Sequence, residues 1–239
     1  MIVANTAVLI GTIMGVSLGA DLAWVWEKVL QATWETLYMV AISTGLSYVF
    51  GLPLGVILVT TGEGHILENK GFNRILGAFI NAVRSIPFII FLILVIPFTR
   101  LLVGTSIGTV ASMVPLTLAA IPFVARMVET SLKEIDWGLI EAALSMGANA
   151  WQVITKVLLP EARASIVLGV AITTINLVGY SAMAGIVGGG GLGTLAYYYG
   201  YQRYEDLVMW VTVIVLIAFV QCVQMAGDKW AAKITNQRR

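Results

Sequence analysis

Glu141-Ala142-Ala143-Leu144-Ser145-Met146-Gly147, followed nine residues later by Val157-Leu158-Leu159-Pro160, decides how this chain is read. Asp136 stands where a helix N-cap is expected: its carboxylate can accept from backbone N–H groups at the positive end of a helix. Trp137 to Met146 then reads as a short helix that Gly147 stops in the left-handed conformation. Asn149 is placed to cap a second helix from Ala150 to about Leu158, and Pro160 suits the first turn of the next long helix. The first helix has an apolar face of Leu139, Ile140, Ala143 and Leu144, and Trp151 and Val153 add bulk on the second. Ala142, Ala143 and Gly147 keep the surface low enough for another protein's backbone to approach, the helix-in-groove mode of recognition. The competing reading on periodicity alone is an amphipathic pair lying on a membrane surface.

Moving outward, the chain becomes greasy. Of 239 residues, 59% are hydrophobic and 11% charged, whereas a soluble domain carries about 25% charged residues. Crossing about 30 Å of hydrocarbon takes roughly 20 apolar residues. Such runs lie at about 34–60, 76–98, 103–125, 165–187 and 207–226. The fold expected is therefore an all-α, polytopic membrane bundle with five core transmembrane helices. A sixth run, Ile2 to Ala20, is long enough to span but holds Asn5, Thr6, Thr12 and Ser17. It reads as an extra span or as an N-terminal extension. No basic residue precedes Ile2, as a secretory signal would require. The organisation expected is 1–24 as that apolar segment, 25–227 as one membrane domain and 228–239 as a basic tail.

Basic residues set the orientation, because cytoplasmic loops carry excess Lys and Arg. With the C-terminus inside and strict alternation, Lys70, Arg74, Arg84, Arg126, Lys133, Lys156, Arg163, Lys229, Lys233, Arg238 and Arg239 fall inside, and only Lys28, Arg100 and Arg203 outside. The polar segment 126–164 is thereby placed on the cytoplasmic side, as is the loop containing the lone His65, which reads as solvated. Pro53, Pro87, Pro97, Pro115 and Pro122 lie within or near spans, where neighbouring helices can satisfy freed carbonyls; together they suggest curved helices around a central path.

Several chemistries are excluded. Net charge is +1 and there is one cysteine, Cys222, so neither a nucleic-acid surface nor a disulfide or zinc cluster is built here. No Ser/His/Asp set or metal spacing occurs. No G-x-x-x-x-G-K-[ST] cradle for ATP phosphates is present. Gly188-Gly-Gly-Gly-Leu-Gly193 fits G-x-G-x-x-G but follows an apolar span and not a strand; it reads as a flexible outer-face turn near any delivery protein. The Tyr197–Tyr201 cluster reads as an interfacial aromatic belt. In the fourth long span, Tyr180, Ser181 and Met183 are candidates to line a passage, beside Thr173, Thr174, Asn176 and Gly179. Polar groups within spans face bundle interiors, although simple helix–helix hydrogen bonding accounts for each one singly. Arg126 and Glu129, three apart, are placed to pair.

The E-A-A, three residues, G, nine residues, V-x-L-P spacing is similar to the cytoplasmic signature loop of ABC-importer permeases. Val157 is its one departure, a conservative one, from the usual Ile. Arg84-Ser-Ile-Pro-Phe-Ile-Ile90, Ile96-Pro-Phe-Thr-Arg100, Val103-Gly-Thr-Ser-Ile-Gly108, Val114-Pro-Leu-Thr117, Ile121-Pro-Phe-Val-Ala-Arg-Met-Val-Glu129 and Gly179-Tyr-Ser-Ala-Met183 resemble the methionine-uptake branch over about residues 25–230. The resemblance implies a type I importer permease in a bacterial inner membrane, forming the path for methionine. It implies a homodimer joined to two ATP-binding subunits, which use ATP and Mg, and supplied by a periplasmic or lipid-anchored methionine-binding protein. This chain would bind no cofactor or metal and carry no ATPase site. Glu141, Ala142, Ala143, Gly147, Leu159 and Pro160 would form the coupling loop. The alternatives are an importer permease for another small polar solute, and an ion-coupled carrier or channel acting alone. The last calls for intramembrane Asp or Glu, of which the spans hold essentially none.

Overall fold

The computed structural model describes residues 20–236; residues 2–19 of the run expected as a sixth span lie outside them. Among the described residues the protein is all helical. Helix α1, Ala20–Thr60, has 41 residues and is about 60 Å long at 1.5 Å per residue. It begins well before the run expected from residue 34, because Trp24, Val25 and Val29 pack with Leu192, Leu195 and Val208.

The run expected as one span over 76–98 is instead two helices, α2 (Lys70–Arg84) and α3 (Phe88–Val103), bent by 105°. Pro87 explains the break. It disfavours helical geometry at Ile86, and its own φ of −55° and ψ of 134° make it the N-cap of α3. Helix α2 starts on Asn69, whose side chain accepts from the Phe72 N–H at 3.1 Å. The next span, α4 (Thr109–Lys133), is displaced towards the C-terminus from the expected 103–125. Gly104, at φ 81°, ends α3, and Gly108, at φ 100°, precedes α4.

Short helices α5 (Trp137–Ser145), α6 (Ala150–Val153) and α7 (Leu159–Glu161) lead into the span α8 (Arg163–Ile186). A short α9 (Gly191–Leu195) and a π-helical turn (Ala196–Gln202) precede the last span, α10 (Asp206–Asn236). That span runs through Asp228, so the residues expected as a separate tail continue the same helix. Among the described residues four helices are long and apolar enough to cross a membrane, or five when the bent α2–α3 pair is counted as one broken span.

Helices α1 and α4 form the centre of the bundle. Gly51 and Gly55, four apart, face α4 so closely that a Cβ at either would lie 2.7 or 2.6 Å from the Cβ of Val124 or Val128. Small residues at this spacing let membrane helices approach closely. At mid-bundle Met39, Val40, Leu116, Ala120, Leu177 and Val178 are buried together.

The glycine run is the largest departure from expectation. Gly188 to Gly193 is no flexible turn but a packed corner between α8 and α9. A Cβ on Gly193 would lie 2.5 Å from the Ala182 Cα, and one on Gly185 2.3 Å from the Thr194 backbone nitrogen. Backbone meets backbone there, and α1 closes the corner. The Glu35 carboxylate accepts from the Gly191 N–H at 2.8 Å and the Thr36 hydroxyl from the Leu192 N–H at 2.9 Å. The one acidic residue inside the expected first span thus satisfies orphan helix donors.

Candidate functional site

The segment between α4 and α8 folds as a capped helical hairpin. The Asp136 carboxylate accepts from the Gly138 N–H at 2.6 Å, starting α5. Gly147, at φ 84°, ends it. The Gly147 N–H donates to the Leu144 carbonyl at 2.9 Å and the Ala148 N–H to the Ala143 carbonyl at 3.0 Å. Those two bonds are a Schellman motif, which satisfies the last carbonyls of the helix. Asn149 and Gln152 then form a reciprocal capping box at the start of α6, with both bonds at 2.9 Å. From Ile154 to Leu158 the helix widens into a π turn, and the Leu159 N–H reaches the Ile154 carbonyl. Pro160, lacking an N–H, removes the next helical bond; such single-turn bulges are common where a helix is interrupted.

Burial divides the hairpin into two faces. Ile140, Ala143, Val153, Leu158 and Ala162 pack with Val56, Val59, Val124, Val128 and Leu132 of α1 and α4. Ala143 is 6% exposed, so this residue, expected to keep an outer surface low, instead seats α5 on the chain's own core. Leu159 is partly buried on the same cluster, and Pro160 is half-buried. The outward face carries Glu141, Ala142, Leu144, Ser145, Met146, Gly147 and Trp151; Met146 is 83% and Trp151 71% exposed. Its apolar side chains stand out from a firmly anchored element.

Two neighbours brace the hairpin. Ile66 from the 61–69 loop joins its core, and the His65 ring meets the Trp137 ring edge-on at 5.4 Å. His65 is therefore half-buried and not simply solvated, and burial holds its imidazole below the usual value. On α4, the buried Glu129 carboxylate pairs with Arg126 and with Lys133, the latter at 2.7 Å. Arg126 also donates to the Gly77 carbonyl of α2 at 3.0 Å. The expected i,i+3 pair thus extends into a clamp between α2 and α4.

The candidate passage residues on α8 separate. Ser181 is 2% exposed and its hydroxyl donates to the Val178 carbonyl at 2.7 Å, so it serves its own helix. Met183 is exposed and is not in the wall of the cavity that Tyr180 lines. Tyr180 stacks on Phe88 at 4.4 Å and lines a cavity of about 290 Å³ with Arg84, Phe91, Ala119, Phe123 and Asn176. The signal missed in the sequence is Arg84, which the α2–α3 break delivers to this cavity. Among the described residues no group of three or more His, Cys, Asp or Glu is placed to hold a metal.

The sequence pattern of the binding-protein-dependent transport system inner membrane component family matches residues 51–230. The chain belongs to that family. A Vibrio cholerae protein described as a probable D-methionine transport system permease protein MetI is 53% identical over 211 residues, 88% of this chain and 94% of the relative. The D-methionine transport system permease protein MetI of Escherichia coli K12 is 53% identical over 156 residues, 65% of this chain and 72% of that protein. Among solved structures, an inward-facing conformation of the MetNI methionine ABC transporter has 48% identity and a TM-score of 0.87, covering 90% of this chain and 99% of the solved one. An amino acid ABC transporter crystallised with histidines, at 18% identity and a TM-score of 0.68, shares the fold.

Proposed function

We propose that this chain is the membrane-spanning permease subunit of an ATP-driven methionine importer. The observation that carries the reading is the hairpin: an apolar, exposed face on a capped and core-anchored element, in a chain whose relatives of about half-identical sequence are described as D-methionine permeases. The face is what a separate ATPase would grip, and the chain has no phosphate cradle of its own. The working unit is a homodimer with two ATP-binding subunits, fed by a periplasmic or lipid-anchored methionine-binding protein. ATP and Mg belong to the ATPase; this subunit binds neither and catalyses no reaction. The hairpin and C-terminus lie on the cytoplasmic side of the inner membrane, a reading that the Lys and Arg distribution supports. Glu141, Ala142, Leu144, Met146, Gly147 and Trp151 make the docking contact, while Ala143, Leu159 and Pro160 hold the hairpin in place. ATP binding draws the two hairpins together and turns the path outward, and hydrolysis resets it.

Gly147 tests the reading. Its φ of 84° costs a residue with a Cβ about 1–2 kcal/mol, and nothing lies within 4 Å of an added Cβ. Gly147→Val should leave the protein in the membrane yet reduce ATPase recovered on copurification and abolish ATP-dependent methionine uptake. Unaltered capture and uptake would defeat docking at this face. An uptake panel of amino acids with the intact system would separate methionine from another small polar solute.

A further inference from the structure

The cavity beside Tyr180 is an open one: Arg84 and Asn176 in its wall are exposed, and Tyr180 is half-buried. Ala119 and Phe123 occupy the middle of α4, and Asn176 the middle of α8. Phe123 is ten residues from the end of α4 at Lys133, which is about 15 Å along a helix. Arg84, at the end of α2, reaches this level because the chain bends by 105° immediately after it. Its guanidinium lies 6.0 Å from the Phe123 ring centroid. Among the described residues no carboxylate comes within ion-pair distance of it. Asn176 and Tyr180 likewise make no side-chain hydrogen bond with another described residue.

Arg84 stands unpaired beside the spans α4 and α8, and in membrane proteins cations among spanning helices mark substrate paths. The rest of the wall is apolar and aromatic: Val83, Ile86, Phe88, Phe91 and Phe123. One guanidinium, one phenol and one carboxamide facing an aromatic wall match a carboxylate joined to an apolar side chain. A thioether gains additionally from aromatic edges. The volume of about 290 Å³ is at the small end for ligand sites, which run from about 300 Å³, and suits a single amino acid.

We propose that this cavity is a methionine subsite within the permease, a stop between delivery and release. Arg84 binds the α-carboxylate with a fork of donors. Tyr180 and Asn176 orient the polar end, and Phe88, Phe91 and Phe123 enclose the thioether chain. Resting on the methionine reading above, the subsite makes the permease itself select for a carboxylate and an apolar side chain, in addition to any selection by the binding protein.

The test uses the complete permease–ATPase complex in lipid nanodiscs, without the binding protein, and radiolabelled methionine. Arg84→Gln should weaken one site per permease chain by roughly ten- to a hundredfold, as expected for loss of a hydrogen bond to a charged group, and Arg84→Lys should restore part of it. The unchanged complex should prefer methionine to methioninol, which lacks the carboxylate, and Arg84→Gln should abolish that preference. Ala119→Trp, with Arg84 intact, should fill the cavity and remove the same site. Where the unchanged complex imports methionine, equal binding and equal discrimination in all variants would overturn the subsite alone. A complex that neither binds nor imports methionine would remove the substrate assignment and the subsite with it.

Discussion

His65 shows how one residue's environment becomes a pH dependence. Its ring is half-buried against Trp137, and its Nδ1 accepts from the Ile66 N–H at 3.0 Å. Burial lowers its pKa in the folded loop, while the unfolded loop titrates near about 6.5. Above that value both states are neutral and the contact contributes fully. As pH falls through it, the unfolded loop takes up its proton first, so the loop loses stability towards acid. Glu63, Glu68 and Lys70 pair among themselves beside it and do not reverse the sign. Amide hydrogen exchange across 62–68 should therefore speed up relative to the His65→Gln protein between about pH 7.5 and about pH 5.5. Parallel behaviour of the two proteins would show that the imidazole is not responsible. Gly147 and Asp136 were legible from sequence because caps depend only on near neighbours. The placement of Ala143 was not: periodicity describes an apolar face without saying whether the chain or a partner covers it.

At the scale of elements, the glycine corner behaves as a joint that tolerates no side chain. In Gly193→Ala the new Cβ would meet the Ala182 backbone at 2.5 and 2.6 Å, where neither strand of chain can give way cheaply. Overpacking of this kind costs typically about 1–3 kcal/mol, and it would also pull α9 off Glu35 and Thr36. Thermal unfolding in detergent should show a clear fall in midpoint for Gly193→Ala. Gly45→Ala, where nothing lies within 4 Å of the added Cβ, should be neutral or stabilising, since alanine favours a helix interior by about 1 kcal/mol. Equal midpoints would mean that the corner yields. The bend at Pro87 is a similar lesson. A sequence window sees continuous hydrophobicity across 76–98, but one proline turns the chain and converts a span into an amphipathic helix and a shorter apolar one.

For the whole molecule, the ends of the bundle differ in kind. The hairpin, the 61–69 loop and the Arg126–Glu129–Lys133 clamp gather at one end. At the other, the Gly108 N–H donates to the Gly188 carbonyl at 2.9 Å, Tyr38 bonds Thr109, and Arg203 lies over Tyr199 at 4.5 Å. In a Cys222→Ser background, an impermeant thiol reagent added to intact spheroplasts should label Thr105→Cys and Gln202→Cys but not Ser145→Cys or Thr235→Cys. The reverse pattern would invert the orientation. The helical class, the presence of long apolar spans and the caps of the hairpin were legible in the sequence alone. Each depends on short windows or on a count. Which face of the hairpin is left outside, that Glu35 closes a glycine corner 156 residues away, and that Arg84 shares a cavity wall with Tyr180 emerge from the packing of the helices. Those outcomes depend on how separate helices approach one another, and no local pattern of hydrophobicity encodes that distance.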